Sequence, residues 1–277
     1  MQVEMSYGED YSYLPMTSFS SGAEYEVLPD VNCLTVQIVN VCMIGLPDSG
    51  KWVLVDAGMP HSADMIISTA EKRFGPDCAP QGILLTHGHF DHVGGIIELI
   101  EHWGVKVYAH PLEMPYLTGE RHYVPPDPSV DGGLIAKMSG LFPNAPIQLG
   151  EHIKPLAEDG SIPYLPDWRW IHTPGHTPGH ISLFRDKDRT LVAGDAFVTV
   201  KQESVYKVLV QEQEISGPPK YFTSDWSAAY RSAEALSKLN PAVAVTGHGQ
   251  PMRGEVLETG LRELIENFDE IAAPIKH

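Results

Sequence analysis

Basic residues are scarce in this chain. Lysine and arginine together number 19 against 36 aspartates and glutamates, which leaves a formal net charge of −17 over 277 residues. Proteins that follow a phosphate backbone draw affinity from clustered Lys and Arg that displace counterions, and here those residues are scattered, so no nucleic-acid partner is expected. Cysteine is sparse too: Cys33, Cys42 and Cys78 are an odd count without regular spacing, which excludes a disulfide framework and fits free thiols in a reducing compartment. No apolar run approaches the roughly 20 residues that span a bilayer. The opening Met1-Gln2-Val3-Glu4-Met5 has neither the basic nor the apolar region of a secretory leader. The expectation is a cytoplasmic protein without a membrane partner, and its 43% hydrophobic content is enough to bury a full core.

Short apolar runs alternate with helical patterns, as in an α/β protein. Strands are expected at Leu34–Val39 and Trp52–Val55, separated by the turn Pro47-Asp48-Ser49-Gly50, and again at Val105–Ala109. Helices are expected from about Ser62 to Phe74, with apolar Met65, Ile66, Ala70 and Phe74 and a stop at Gly75-Pro76, and over Ile96–Trp103 before Gly104. Ser227–Leu239 and Glu255–Ile271 also read as helical. Two stretches break this rhythm, near 116–167 and 197–226, and read as inserts of the kind that form lids. The first carries an amphipathic piece, Leu134–Phe142. In the second, Phe197, Tyr206, Tyr221, Phe222 and Trp226 either line an apolar pocket or pack beneath the insert.

The densest chemistry lies in Thr86-His87-Gly88-His89-Phe90-Asp91-His92-Val93-Gly94-Gly95, directly after the apolar Ile83-Leu84-Leu85. Four metal-ligating side chains within six residues converge only where a strand runs into a sharply turning, glycine-bearing loop. Imidazole with carboxylate is a ligand set for zinc and neighbouring divalent metals. Three further candidates share the context. His176 lies in His172-Thr173-Pro174-Gly175-His176-Thr177-Pro178-Gly179-His180, Asp195 follows Thr190–Gly194, and His248 follows Ala242–Gly247. The last two sit at the carboxyl ends of short β-branched runs, where open α/β sheets place functional groups. The working reading is a catalytic metal centre.

The motif His87-x-His89-x-Asp91-His92 with His176, Asp195 and His248, preceded by Val53-Leu54-Val55-Asp56-Ala57-Gly58, resembles the signature of the metallo-β-lactamase-superfamily hydrolases. The resemblance runs from about Asn32 to Met252. Thr173–His180 and Asp56-Ala57-Gly58-Met59-Pro60 are most similar to the N-acyl-homoserine-lactone lactonases, and glyoxalase II thioesterases share much of the pattern. It implies one metallo-β-lactamase-like domain over 1–277, a four-layer αββα sandwich with the metal site at the strand ends. It also implies two divalent metal ions, Zn2+ first and Mn2+ or Fe2+ as alternatives. His87, His89 and His176 would hold one ion and Asp91, His92 and His248 the other, with Asp195 bridging. A hydroxide shared by the ions would attack a lactone or ester carbonyl, and Asp91 would also carry the proton to the leaving group. Phe197, Val198 and Thr199 stand where the lactonases carry a tyrosine, so phenol assistance would fall to Tyr206 or Tyr221. The partners implied are a small-molecule substrate and, in one arrangement, a second copy in a homodimer. The alternatives are a glyoxalase II-like thioesterase and a mononuclear iron oxygenase on the same fold.

Asp56 is expected to orient a ligand imidazole, because metal-bound histidines usually donate their second ring proton to a carboxylate or carbonyl. His172 reads as structural and His180 as at most supporting. His61, His102, His110, His122, His152 and His277 have no ligand context and read as solvated.

Overall fold

A computed structural model of the chain describes residues 3–11, 17–128, 139–200 and 213–274. Tyr206 and residues 134–138 of the amphipathic piece lie outside the described residues. Contacts divide the chain into two compact units, 1–123 with 143–166 and 124–142 with 167–277. Among the described residues, none of the helices is long and apolar enough to cross a membrane.

Among the described residues of the first unit, seven strands form one sheet in sequence order: β1 (Glu24–Leu28), β2 (Val31–Val36), β3 (Val39–Ile44), β4 (Val53–Val55), β5 (Ile83–Leu84), β6 (Val107–Ala109) and β7 (Ile153–Pro155). The first four pair antiparallel and β4 to β7 pair parallel. The expected strand over 34–39 is a hairpin instead. Its two-residue turn, Gln37-Ile38, falls inside a stretch whose alternation of Leu34, Val36 and Ile38 continues across the turn without a glycine or proline to mark it. Gln37 adopts φ +58°, and the turn is fixed from outside: Ser18 N–H donates to Gln37 O at 3.0 Å and Gln37 N–H to Ser21 Oγ at 3.0 Å. Strand β7 lies within the stretch read as the first insert, so part of 116–167 completes the sheet.

Helix α1 (Ala63–Phe74) buries Ala63, Ile66, Ala70 and Phe74, the i, i+3, i+4 stripe of a helix lying on a sheet, and Gly75 ends it with φ +96°. Met65, expected on that face, is exposed. A single turn, α2 (Phe90–Val93), precedes α3 (Ile96–Trp103), which ends at Gly104 in the left-handed region. A further turn, α4 (Met114–Leu117), follows β6. Trp52, beside β4, stacks on Phe74 at 4.5 Å and meets Trp103 edge-on at 5.5 Å, tying the sheet to both long helices.

Among the described residues of the second unit, five strands form a sheet ordered β12-β11-β10-β9-β8, from β8 (Arg169–His172), β9 (Ile181–Arg185), β10 (Thr190–Gly194), β11 (Val243–Thr246) and β12 (Met252–Arg253). Both β8 and β10 run antiparallel to β9, and β11 runs parallel to β10. The carboxyl ends of β8, β10 and β11 therefore share one edge, and His176, Asp195 and His248 lie in the loops leaving it. Helix α5 (Trp226–Lys238) is capped by Asp225, whose side chain accepts from Ala228 N–H. The expected helix over 255–271 is two, α6 (Gly254–Glu266) and α7 (Phe268–Ile271), interrupted at Asn267. Phe197 is fully buried in this unit's core with Phe268, and Trp226 meets Phe268 at 6.4 Å. Phe197 therefore packs in the core, whereas Trp226 both packs on Phe268 and borders a surface cavity with Tyr230 and Ile265. Tyr221, Phe222 and Phe142 pack against one another at 5.2–6.1 Å.

Close backbone approach fixes the loop that carries the His-rich motif. Gly94 N–H donates to Gly58 O at 2.7 Å, and a Cβ on Gly94 would stand 2.2 Å from Met59 C and Pro60 N. Gly94→Ala should therefore destabilise the protein by about 1–3 kcal/mol or more through overpacking, read as a lower urea midpoint at unchanged slope. A midpoint within error of the parent would show that the loop yields.

Candidate metal centre

Each unit carries its own set of buried donors. In the first, β4 ends at Asp56 and β5 runs into Thr86-His87, both at the carboxyl edge of the parallel strands, the usual place for function in such sheets. Asp56 adopts φ +62°, a conformation that Asp tolerates better than most residues, and this turns its carboxylate onto the neighbouring strand. Asp56 Oδ1 accepts Thr86 N–H and Oδ2 accepts the Thr86 hydroxyl, each at 2.8 Å. Asp56 Oδ2 also lies 2.8 Å from His92 Nδ1. Because the Thr86 proton is committed to Asp56, Thr86 Oγ1, 3.1 Å from His87 Nδ1, can only accept. His87 and His92 are both thereby held with the proton on Nδ1, leaving Nε2 as the basic nitrogen.

The four motif residues crowd together. The His87 ring lies 4.2 Å from that of His92 and 4.7 Å from that of His89, and His92 Nε2 is 4.0 Å from Asp91 Oδ2. All four are buried. Gly88 N–H, between the first two histidines, points to Glu113 Oε2 and Tyr123 Oη, each at 3.0 Å.

In the second unit, Asp195 follows β10 and is set by a histidine outside the ligand set. Its N–H donates to His180 Nε2 at 2.8 Å, so His180 holds its proton on Nδ1 and donates it to Thr173 Oγ1, also at 2.8 Å. His176 repeats the arrangement of His87. Its Nδ1 lies 3.2 Å from Thr223 Oγ1, whose own proton goes to Pro219 O at 2.8 Å. The loop carrying His176 is anchored on α5: Ser232 Oγ donates to Pro174 O at 2.7 Å, and Asp225 N–H to Gly175 O at 3.0 Å. The His248 carbonyl accepts the Thr246 hydroxyl at 2.6 Å and Thr199 N–H at 3.2 Å. Asp195 Oδ2 stands 3.5 Å from His176 Nε2 and 3.3 Å from His248 Nε2.

Of the remaining histidines, His110 corrects the expectation. It is buried, and its Nδ1 accepts Leu112 N–H at 3.1 Å, closing the turn after β6, where a polar side chain at a strand end satisfies the backbone. His61, His102 and His122 are exposed and His152 half-buried; His277 lies outside the described residues. His172 is exposed and hydrogen-bonds Pro178 O. Of the two tyrosines considered for phenol assistance, Tyr221 is buried with its carbonyl accepting Asp127 N–H. Sequence reasoning did not single out Thr86, Glu113, Tyr123, Thr173 or Thr223. Thr86 adjoins His87 and Thr173 lies within the His172–His180 run, but Glu113, Tyr123 and Thr223 reach their partners over distances in the chain that no local spacing reveals.

An α/β protein with imidazole and carboxylate donors clustered at sheet edges is of the kind that holds divalent metal ions. The chain belongs to the metallo-beta-lactamase superfamily, whose family model matches residues 34–248. It is 52% identical over 260 residues, 94% of this chain and 98% of the other, to the "Probable metallo-hydrolase YflN" of Bacillus subtilis strain 168. Over 137 residues, 50% of this chain and 39% of the other, it is 35% identical to a "Hydroxyacylglutathione hydrolase" of Erwinia tasmaniensis. Among solved structures, TTHA1623 in a di-iron-bound form is similar at TM-score 0.53 and 26% identity, covering 82% of this chain and 94% of that one. The expected metallo-β-lactamase fold is the fold the chain has, and the superfamily is one of metallo-hydrolases that bind divalent ions.

Replacing the Thr86 relay tests the tautomer argument. Thr86→Val keeps the shape but removes the acceptor for His87 Nδ1–H, and affinity for a divalent metal probe should fall about 10- to 100-fold, the usual penalty for a lost outer hydrogen bond. Chelator competition giving an unchanged affinity would detach Thr86 from the metal centre.

Proposed function

We propose that the chain is a dinuclear metal-dependent hydrolase that opens a lactone or related ester. The observation that carries this reading is the position of Asp195. Two donors about 2.0–2.2 Å from one tetrahedral ion stand about 3.3–3.5 Å apart, and Asp195 Oδ2 lies at 3.5 Å and 3.3 Å from the basic nitrogens of two different histidines. One carboxylate spaced as a neighbour of both His176 and His248 suits a bridge between two ions. On this reading His87, His89 and His176 hold one ion, Asp91, His92 and His248 hold the other, and Asp195 contacts both. The donor chemistry fits: nitrogen and oxygen ligands with tethered Nδ1 protons suit zinc, manganese or iron.

Ions bound there would supply Lewis acidity, activating water at neutral pH and stabilising charge on the substrate carbonyl oxygen. The chain's own residues do the rest. Asp56, Thr86 and Thr223 keep the imidazoles oriented, and His180 holds the backbone of Asp195. The Asp91 carboxylate accepts the proton of the attacking water and returns it to the departing alkoxide. A net charge of −17 favours neutral or weakly acidic small molecules over polyanions.

The hydroxyacylglutathione hydrolases among the relatives favour a second reading, thioester cleavage. A panel of acyl-homoserine lactones, simple lactones, aryl esters and S-lactoylglutathione separates the two, with lactones or esters expected to give the highest kcat/KM. Dominant S-lactoylglutathione turnover would replace the first reading with the second.

Two variants probe the machinery. His248→Ala should lower the metal content from two ions per chain towards one, read by elemental analysis, and a parent protein holding one ion would end the dinuclear reading. Asp91→Asn, compared at measured metal content, should lower kcat on an unactivated lactone by about 10²–10⁴-fold and much less on an aryl ester, whose leaving group needs little protonation. Equal penalties would leave Asp91 as a ligand only.

A further inference from the structure

Glu113 is a carboxylate that the seven-residue motif does not include, yet it is fully buried. It sits in the turn that follows β6, between His110 and α4. Its Oε2 accepts Gly88 N–H at 3.0 Å and the Tyr123 hydroxyl through a short hydrogen bond. Gly88 separates His87 from His89, so this carboxylate grips the backbone between two of the metal-site imidazoles. Tyr123 is held in turn: its ring stacks on Tyr116 at 3.9 Å and 9°, meets the His89 ring edge-on at 4.6 Å, and its carbonyl accepts Asn144 Nδ2–H. Gly88 has no room for a side chain, since a Cβ there would stand 2.6 Å from Tyr123 Oη and 3.0 Å from Leu117 Cδ2.

Burying an ionised carboxylate is costly even when it accepts hydrogen bonds, because its charge leaves water for a medium of low dielectric. The Gly88 N–H and Tyr123 O–H dipoles offset part of that cost, and a cation adds to the compensation. A divalent ion seated on the imidazoles that flank Gly88 is such a cation.

We propose that Glu113, clamped by Tyr123, is a positioning residue of the metal centre. It sets the turn between His87 and His89, and its negative charge raises the affinity of the ion those two histidines hold. The inference rests on the dinuclear reading above. The reciprocal consequence is that bound metal stabilises the buried charge, so removing that charge lowers the stability gained on metal binding.

The Glu113→Gln variant keeps the shape and an acceptor for Gly88 N–H while removing the charge. Zinc affinity, measured by competition with a chromophoric chelator, should drop about 10- to 100-fold. The thermal midpoint of the chelator-stripped protein should stay level or rise, and the increase in midpoint on adding Zn2+ should shrink. A purely structural role predicts the reverse, a lower midpoint without metal and little change in affinity, and that result would overturn the proposal. Tyr123→Phe serves as the second variant should Glu113→Gln fail to fold. It preserves the ring packing and should weaken zinc binding by less than tenfold, and an affinity equal to the parent's would count against the clamp. If the parent protein itself takes up fewer than two zinc ions, the dinuclear reading fails. If it takes up two and Glu113→Gln binds them as tightly, only the role of Glu113 fails.

Discussion

The carboxylate of Asp56 is the constraint on which the first unit's donor set depends. It accepts from the Thr86 backbone, the Thr86 hydroxyl and His92, and so joins the end of β4, the end of β5 and the single turn α2. Hydrogen bonds to a charged group are each worth about 1.5–3 kcal/mol, and a buried donor left without one costs a similar amount. The left-handed backbone of Asp56 is stabilised by this return. The sheet delivers two strand ends to one edge, and one side chain then fixes the tautomer of two imidazoles, one directly and one through a hydroxyl. Histidines on a loop would otherwise have to be ordered by the metal itself, at a cost in binding.

Much of this was legible in the chain. The helices at 63–74 and 96–103 end at Gly75 and Gly104, where the apolar stripe stops and a glycine takes a positive φ. The strand-end settings of Asp195 and His248 followed from β-branched runs broken by a polar residue, and Asp56 from the demand of a metal-bound imidazole for a carboxylate. What escaped was decided by contacts remote in sequence. The β2–β3 hairpin turns at Gln37 because Ser18 and Ser21 hold it, and nothing local marks it. Strand β7 is three residues long, one of them proline, and gains its place only by pairing with β6. His110 looked solvated because its partner, a backbone N–H two residues on, belongs to a turn that sequence periodicity does not show. Thr223 lies 47 residues from His176 and Glu113 25 from Gly88, separations at which spacing carries no information.

The second unit shows how physically similar histidines receive different tasks. His176 and His180 lie four residues apart, flanked by prolines, and both place Nδ1 against a threonine hydroxyl. Their difference lies at Nε2. The Asp195 N–H occupies that nitrogen in His180, and an imidazole whose Nδ1 donates and whose Nε2 accepts has no lone pair left for a metal. In His176 the committed proton of Thr223 forces Nδ1 to donate, and Nε2 stays basic and turned towards the Asp195 carboxylate. The same residue type is a ligand candidate in one place and a backbone support in the other, and the hydrogen bond to the second nitrogen decides which. A histidine count cannot separate these roles, but following each hydroxyl proton to its acceptor does.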